Sequence, residues 1–412
     1  MRPARRRGDG RLHRPYGRRR HRTGMGVVIT VIGCDGGPLP PGAEPLVAEA
    51  TLVVGAARHL SQVDTGAERI VLGAVRDAVT RLSTHDGRAV VLASGDPGFF
   101  GIVATLRRAG LRPAVIPAPS SVAHAFARLG LPWDDALVVS AHGRDLRRAV
   151  NVCRAHRKVA VLTAPGAGPR ELSAALDGLP RRLVVASRLG TPDERITGPE
   201  GDWADPNVVL VLGSAPEPSP RWLAGARPTP AGWALPENAF AHRDSMITKA
   251  EVRALVLARL GPRLGDLVWD IGAGSGSVAV ECARLGAAVV AVERDADACE
   301  RVRRNADAFN VDVGVVHGAA PAALAGLPDP DAVFVGGGGV SVLAACLERR
   351  PVRVVAAYAA VERVGPVLEV LTVAGYRAEG TQLQANRLAP LPGGVHRLEA
   401  TNPVYVVWGE RS

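Results

Sequence analysis

A glycine-rich segment at residues 267–280, LVWDIGAGSGSVAV, constrains the fold of this chain more than any other stretch. Its first three residues are large and apolar, and they predict a buried parallel strand that ends at Asp270. A tight turn into a helix is predicted next, because the turn holds three glycines, Gly272, Gly274 and Gly276. Such a turn lets a ligand lie directly on the backbone, next to the free N–H groups of the helix.

The spacing of these glycines separates two kinds of nucleotide site. A dinucleotide fingerprint has the form G-x-G-x-x-G, but its sixth position here is Ser277. The order Asp-x-Gly-x-Gly-x-Gly resembles the first motif of Rossmann-like methyltransferases, which bind S-adenosylmethionine (SAM). Residues 288–292 predict the second strand, and Glu293 at its end can accept hydrogen bonds from both ribose hydroxyls. We therefore expect Asp270, the glycines and Glu293 to bind SAM; the alternative is a turn without a ligand.

The length of 412 residues predicts two domains, and the positive charge is concentrated in a short tail. The formal net charge is +10, but residues 1–24 contain ten arginines and one aspartate, so the rest carries only about +1. The tail has too few apolar residues to form a core, so we expect disorder. It is either an arm for RNA or membranes, or a segment upstream of a start at Met25, the interpretation that we favour.

The five cysteines and the hydropathy indicate the compartment. The cysteines are scattered and form no C-x-x-C pair. An odd, scattered set is typical of reduced thiols, so we expect a cytoplasmic protein with no metal site. No stretch is long enough for a membrane span, and we expect no membrane partner.

Alternating strands and helices are predicted for the first domain. This order favours a mainly parallel sheet, with ligands at the carboxyl ends of its strands. Short helices are predicted at residues 46–50 and 122–129. The predicted strands are residues 27–33, 52–55, 89–93, 114–117, 137–140, 159–163, 183–186 and 208–212.

Loops in this domain resemble those of the tetrapyrrole (precorrin) methylase family. The matching segments are VIGxxG at 31–36, GDP at 95–97 with FFG at 99–101, PSS at 119–121 and RLGTPDE at 188–194. The first loop departs from the usual Gly-x-Gly-Pro. The resemblance implies two α/β lobes with SAM in the cleft between them. It assigns to the cofactor Gly33, Gly95, Asp96, Ser120 and Ser121.

Two of these residues have simpler explanations. Asp96 could form only a turn. Ser120 could only cap the helix that follows it. The sequence leaves both alternatives open.

A proline-rich stretch, residues 214–236, predicts a linker. It divides the chain into a tetrapyrrole methylase domain at 25–213 and a Rossmann-like SAM-dependent methyltransferase domain at 237–412. We expect two autonomous α/β domains, each with its own SAM site.

The later strands of the second domain bear on its substrate. Residues 311–317 predict strand three, followed by Gly318 and Ala319 at the adenine position, where many methyltransferases have an acid. Residues 332–335 predict strand four, which leads into four glycines at 336–339. Enzymes that methylate nucleic-acid amines usually have Asn/Asp-Pro-Pro-Tyr/Phe here, so no residue is available to stack on a flipped base. The four glycines leave room for a large, flat substrate.

The second domain resembles the small decarboxylating methyltransferases of the corrin pathway. The resemblance rests on MITK at 246–249, Asp270 to Gly276, Glu293 and the four glycines. Fused behind a precorrin methylase, it is similar to the bifunctional methyltransferases of cobalamin biosynthesis. This implies methylation of a reduced tetrapyrrole at carbons 5 and 15, with loss of carbon dioxide from the ring C acetate. It also implies that Thr248 lies near the cofactor.

A tetrapyrrole with several acetates and propionates requires basic anchors. The candidates in the second domain are His242, Arg243, Lys249, Arg387 and His396. We expect catalytic contributions from Asp96, Arg243, Lys249 and Arg387, and we expect a homo-oligomer that binds no nucleic acid.

Two functions from other classes remain open. A SAM-dependent RNA methyltransferase would use the basic tail as its anchor. A non-enzymatic regulator would bind SAM without turning over a tetrapyrrole. Salt-dependent RNA retention would favour the first, and cofactor binding without turnover the second.

Overall fold

The computed structural model describes residues 27–214, 224–225, 230, 232–244 and 246–411. The predicted basic tail, the proposed start at Met25 and most of the predicted linker lie outside this range. The chain divides into two compact units, one up to Pro119 and the other from Ser120 onward.

The first unit is a parallel sheet of five strands with helices on both faces. Its elements are β1 (Val28–Cys34), α1 (Ala43–Ala48), β2 (Leu52–Gly55), α2 (Ala57–Leu60), β3 (Glu68–Val71), α3 (Val75–Ser83), β4 (Arg88–Ser94), α4 (Ile102–Arg108) and β5 (Ala114–Ile116). The strand order is β3-β2-β4-β1-β5, and every pairing is parallel. Adjacent residues of β2 point to opposite faces: Val53 packs against α1 and α2, whereas Leu52 packs against α3 and α4. Strand β3 was not predicted because it is an exposed, charged edge strand.

The second unit begins with a mixed sheet, which corrects the expectation of a mainly parallel first domain. Its elements are α5 (Ser121–Arg128), β6 (Leu137–Ser140), α6 (Leu146–Ala155), β7 (Lys158–Leu162), α7 (Pro169–Ala175), β8 (Arg181–Ser187), β9 (Arg195–Thr197) and β10 (Asn207–Gly213). The order is β6-β7-β10-β8-β9, and only β6 and β7 are parallel. No helix separates β8, β9 and β10, so they pair antiparallel through short connections.

The rest of the second unit is a seven-stranded sheet with helices. Its elements are α8 (Ala250–Leu260), β11 (Leu267–Ile271), α9 (Ser277–Arg284), β12 (Ala288–Glu293), α10 (Ala296–Ala308), β13 (Gly314–His317), β14 (Ala332–Val335), α11 (Val340–Glu348), β15 (Arg353–Tyr358), α12 (Val364–Val373), β16 (Tyr376–Leu383), β17 (Asn386–Pro390), β18 (His396–Ala400) and β19 (Val404–Arg411). The order is β13-β12-β11-β14-β15-β19-β16, with β19 antiparallel to both neighbours. Strands β17 and β18 form a separate exposed hairpin.

This architecture is a Rossmann-like α/β fold, as predicted. Strand β11 is buried throughout because it lies at the centre of the sheet, between β12 and β14. The chain leaves β11 towards β12 on one side and returns to β14 on the other, which creates a topological switch point. A ligand crevice is therefore expected at the carboxyl ends of β11 and β14.

Polar side chains join the mixed sheet to the seven-stranded sheet within the second unit. Asp312 accepts hydrogen bonds from Arg157, at 2.8 Å, and from Arg181, at 2.8 Å. Buried Asn151 donates to the carbonyl of Gly265 at 3.1 Å. We therefore propose that residues 120–213 depend on the C-terminal domain to cover these groups, whereas the sequence led us to expect autonomous halves.

Among the described residues, no helix is both long and apolar enough to cross a membrane.

Candidate functional site

The glycine-rich loop after β11 lies against the polyglycine segment after β14. The Gly336 N–H donates to the carbonyl of Ile271 at 2.9 Å. A Cβ at Gly272 would lie 2.9 Å from the Gly337 nitrogen, so no side chain fits between the two loops. Because Gly272 also has a φ of +74°, only glycine suits this position. The structure thus brings the two predicted segments together at the switch point.

The other two glycines of the loop have different roles. A Cβ at Gly276, which has a φ of +71°, would lie 2.8 Å from Val302 of α10, so this glycine permits helix packing. A Cβ at Gly274, which has a φ of +57°, would meet no atom within 4 Å. Of the three positions, only Gly274 faces open space, where a ligand can approach the backbone.

Asp270, which precedes the loop, is 1% exposed and binds the helix that follows the loop. Its Oδ2 accepts a hydrogen bond from the Ala279 N–H, in the first turn of α9, at 2.9 Å. Its Oδ1 is buried and has no partner among the described residues. Burial raises the pKa of Asp270 to about 7; the Ala279 N–H opposes this shift and the Glu293 carboxylate adds to it.

The raised pKa of Asp270 predicts that the folded protein becomes less stable as the pH rises. The folded-state pKa exceeds the unfolded value of 3.8, so folding favours the protonated carboxyl. This contribution to the free energy of unfolding is fully present below about pH 4 and is lost as the pH rises to about 7. We expect Asp270→Asn to gain stability relative to the wild type over this interval, by about 4 kcal/mol at pH 8. Urea unfolding without SAM at pH 4, 6 and 8 measures the difference. A difference in unfolding free energy that stays constant with pH would show that ionisation of Asp270 does not destabilise the folded state.

Glu293 ends β12, as predicted, and lies against the loop. Its Oε2 accepts from the Gly274 N–H at 2.9 Å. Its Oε1 accepts from the N–H groups of Arg294, at 2.8 Å, and Asp295, at 3.0 Å. A carboxylate has about four lone-pair sites, so it can still accept hydrogen bonds from a diol. The half-buried side chain is therefore both a brace for the loop and a potential ribose ligand.

These features fit SAM. The open space at Gly274, the unpaired Oδ1 of Asp270 and the remaining acceptor sites of Glu293 all adjoin one loop. The other predicted residues, Gly318 and Ala319, follow β13; Gly318 donates its N–H to the Glu293 carbonyl at 2.8 Å. Ala319 is exposed and offers no acid, as its sequence indicated.

A buried asparagine that was not identified from the sequence holds the loop in place. Asn305 of α10 is 2% exposed, and its Nδ2 donates to the carbonyls of Ser275, at 2.8 Å, and Ala241, at 2.9 Å. Its Oδ1 accepts from the Ala241 N–H at 2.8 Å. The side chain therefore connects the glycine-rich loop to the segment before α8. Asn305 shares one helical face with Ala298 and Val302, and this spacing could have indicated that it is buried.

A buried ion pair, also missed, fixes the same segment from the other side. Arg253 and Glu281 are both fully buried, with Nε 2.8 Å from Oε1. Arg253 also donates to the carbonyls of Leu235 and Thr248, and Glu281 accepts from the Ala234 and Leu235 N–H groups. Arg253 shares a helical face with Val256, Leu257 and Leu260, which could have indicated its burial.

The predicted basic residues before α8 differ in exposure. Arg243 is exposed, whereas Thr248 and Lys249 are half-buried, with Lys249 at the N-cap of α8. His242 is half-buried, with Nδ1 2.9 Å from the Phe240 carbonyl, and His396 is exposed on β18. The catalytic and anchoring roles of these residues stay predictions.

Arg387 of β17 binds two protein carboxylates. It contacts Glu237 at 2.7 and 3.0 Å and Glu251 at 2.6 and 2.9 Å. The hydrogen bond from Arg387, followed by one from the Ala250 N–H, outweighs burial and lowers the pKa of Glu237 to about 2. A substrate carboxylate would have to compete with both partners. The contacts support a structural role, which joins the hairpin to α8.

Two loops of the first unit meet the end of β1 at Gly33, one of the predicted cofactor residues. A Cβ there would lie 2.5 Å from the Gly95 carbonyl oxygen and 2.6 Å from the Ala118 nitrogen. The Gly95 N–H donates to the Cys34 carbonyl at 2.7 Å. Glycine at position 33 thus permits the loops after β4 and β5 to approach the end of β1.

The alternative roles considered for Asp96 and Ser120 both occur. Asp96 Oδ1 accepts from the Gly98 N–H at 2.7 Å, which closes a turn. Ser120 Oγ accepts from the Ala123 N–H at 3.1 Å, which caps α5, and Ser121 is the first residue of that helix. Neither role prevents contact with a ligand, so the cofactor assignments stay predictions.

Among the described residues, no group of three or more His, Cys, Asp or Glu side chains could hold a metal ion. The five cysteines are free and buried.

Family models match both parts of the chain. A model described as "Tetrapyrrole (Corrin/Porphyrin) Methylases" matches residues 29–204. A model described as "Precorrin methyltransferase domain" matches residues 238–410. The sequence is therefore similar to two different families in succession.

Three known proteins illustrate the similarity. A relative from Pyrobaculum calidifontis, named "Probable cobalt-precorrin-6B C(15)-methyltransferase (decarboxylating)", is 36% identical over 42% of this chain and 93% of its own. A crystal structure of the C-terminal domain of precorrin-6Y C5,15-methyltransferase from Rhodobacter capsulatus is 39% identical, covering 43% of this chain and 97% of that one, with a TM-score of 0.39.

The third relative covers most of both chains. It is the precorrin-6Y C(5,15)-methyltransferase (decarboxylating) of Sinorhizobium sp., which is 41% identical over 76% of this chain and 78% of its own length. Together with the two successive family matches, this similarity shows that the chain belongs to the family of decarboxylating precorrin-6Y C(5,15)-methyltransferases.

Proposed function

We propose that this protein methylates a reduced precorrin, precorrin-6B, at carbons 5 and 15 and decarboxylates its ring C acetate, giving precorrin-8X. SAM is the methyl donor. The observation that carries the proposal is the arrangement at the switch point, where Gly272 lies against the Gly336–Gly337 backbone and Gly274, two residues later, faces open space. The four glycines at 336–339, which we call the floor, have no side chains that could obstruct a flat macrocycle.

We assign carbon 15 methylation and decarboxylation to the C-terminal domain, and carbon 5 methylation to the methylase domain. The Pyrobaculum relative supports this division, because it is too short for both domains and its name carries only the C(15) and decarboxylating reactions. A second, unrelated SAM fold behind a complete methylase is also expected to add a second reaction.

The residues of the crevice would act mainly by alignment. SAM supplies a methyl group on sulfonium sulfur that is already activated, so the protein has to orient a carbon nucleophile towards it. Gly274 leaves room for the donor, Glu293 accepts its ribose hydroxyls, and Asn305 fixes the loop through Ser275. The tetrapyrrole itself provides the conjugated electron system for decarboxylation, much as a cofactor would.

One cation beside the floor was not recognised from the sequence. A Cβ at Gly339 would lie 3.2 Å from Nη1 of Arg363, so this guanidinium borders the glycine segment. It is suited to bind a peripheral carboxylate of the substrate. Arg363 therefore joins Arg243 and Lys249 as a candidate anchor of the C-terminal domain.

Incubation of the protein with SAM and precorrin-6B, followed by mass spectrometry, tests the function. We expect a product with two added methyl groups and without one carbon dioxide. The Asp96→Ala variant should lose its turn and impair carbon 5 methylation, while the C-terminal reactions continue. An unchanged tetrapyrrole with the wild-type protein would contradict the proposal and favour RNA methylation or SAM sensing.

We further propose a cytoplasmic location, which the five free thiols support. Homo-oligomer formation and the absence of nucleic-acid and membrane partners stay predictions.

A further inference from the structure

Three polar side chains converge at the carboxyl edge of the first sheet. Arg58 and His59 belong to α2, and Ser94 is the last residue of β4. Arg58 Nη2 lies 2.7 Å from Ser94 Oγ, and His59 Nε2 lies 2.9 Å from the same oxygen. No function was assigned to any of them from the sequence.

The cluster directly adjoins the predicted cofactor loop. Ser94 precedes Gly95 and Asp96, and in the sheet it lies opposite Cys34, the residue after Gly33. Ligands of parallel α/β sheets bind at this edge. Ser94 and Arg58 are exposed, so a ligand there can reach both side chains.

His59 is suited to orient the Ser94 hydroxyl. It is 5% exposed, and burial, followed by the charge of Arg58, lowers its pKa to about 4, so it is neutral at pH 7. Its Nδ1 is buried without a partner in the described part of the chain. The tautomer with the proton on Nε2 avoids burying an unpaired N–H, and it donates to Ser94 Oγ.

This arrangement leaves donors of Ser94 and Arg58 available to a ligand. Arg58 and His59 both donate to Ser94 Oγ, so the serine proton is free to turn outward. Arg58 keeps further N–H groups, and no carboxylate of the described residues forms an ion pair with it. A guanidinium beside an outward hydroxyl matches the two oxygens of a carboxylate.

We propose that Arg58 and Ser94 bind a ligand carboxylate at this edge, with His59 as the positioning residue for Ser94. The inference rests on the proposed function, which supplies two sources of such a group. One is a peripheral acetate or propionate of the tetrapyrrole, and the other is the carboxylate of SAM.

Steady-state kinetics of carbon 5 methylation in the full chain tests the binding role. For Arg58→Gln and Ser94→Ala we expect the KM of one ligand to rise, about 10- to 100-fold for Arg58→Gln, with kcat changed less than about threefold. A rise for precorrin-6B identifies the tetrapyrrole as the source, and a rise for SAM identifies the cofactor. Arg76→Gln, an exposed arginine of α3, is the matched control.

Unchanged KM values for both ligands in both variants would overturn the binding role. If the wild-type protein does not methylate precorrin-6B at all, the proposed function fails instead. In that case, direct titration of the variants with S-adenosylhomocysteine still tests whether Arg58 and Ser94 bind the carboxylate of SAM, because it measures affinity without turnover.

The positioning role of His59 has its own pair of variants. His59→Gln keeps an N–H donor near the place of Nε2, whereas His59→Phe keeps a ring and loses the donor. We expect His59→Phe to raise the same KM as Ser94→Ala, and His59→Gln to restore most of the wild-type value. Equal behaviour of the two variants, with thermal stability matched, would show that His59 only fills space.

Discussion

The Gly274→Leu variant is expected to give a product with one added methyl group and with its ring C acetate retained. The leucine side chain would occupy the open space at Gly274, where we propose that SAM lies against the backbone. Loss of alignment alone can reduce a rate about 100-fold, and exclusion of the donor should reduce it further. Mass spectrometry of the product, with initial rates of carbon dioxide release, measures the effect.

Two glycines provide controls for this variant. Gly375 has a φ of +83° and open space around its Cβ, and it lies between α12 and β16, an edge strand four places from β11 in the sheet. Gly375→Leu should carry a similar backbone strain without loss of activity. Gly276→Leu should instead destabilise the domain, because its Cβ meets Val302. Normal decarboxylation by Gly274→Leu would contradict the assignment of this crevice.

Glu281→Ala is expected to lower the free energy of unfolding of the second unit by about 3–5 kcal/mol. The change leaves the fully buried guanidinium of Arg253 without its carboxylate, and it removes the acceptor of two backbone N–H groups at Ala234 and Leu235. Because the same network holds the Thr248 carbonyl, the segment beside the cofactor loop should also loosen. Urea unfolding, followed by tryptophan fluorescence, measures the loss of stability.

An exposed ion pair and a double variant complete this test. Glu300→Ala removes the partner of Arg303 on the surface of α10, and it should change stability by less than about 1 kcal/mol. Glu281→Ala combined with Arg253→Met removes both buried charges and should recover part of the loss. A Glu281→Ala variant as stable as Glu300→Ala would show that the buried pair does not hold this segment.

The first half of the C-terminal domain, up to strand β14, was largely predictable from local sequence, whereas no helix or strand after the four glycines was predicted. Residues 267–269 are apolar, and the three glycines that follow can adopt the positive φ values of the turn, so β11 and its turn were identified from the sequence. The same holds for Glu293, whose position follows from the length of β12. In these places short-range pattern and tertiary structure agree.

Long-range polar contacts could not be predicted in this way. Helical register could have indicated that Arg253 and Asn305 are buried, but no local pattern reveals these partners: Glu281 is 28 residues from Arg253, and Ala241 is 64 residues from Asn305. Arg387 was expected at the substrate, but Glu237 and Glu251 lie 150 and 136 residues from it in sequence and surround it in the fold. Its charge indicated a binding role without indicating the partner.

The mixed sheet shows a further limit of sequence patterns. A buried strand in an antiparallel sheet has the same apolar composition as one in a parallel sheet when both of its faces are covered. Strand β10 is such a case: its first five residues are buried, and it pairs antiparallel with β7 and β8. The direction of pairing depends on the connections, and the short loops around β9 were not recognised.

The number of SAM sites tests the central claim most directly, because the proposed division of labour requires one site in each domain. Isothermal titration of the full chain with S-adenosylhomocysteine should give two sites per chain for the wild type and one for Gly274→Leu. One site in the wild type, or two in the variant, would contradict the account.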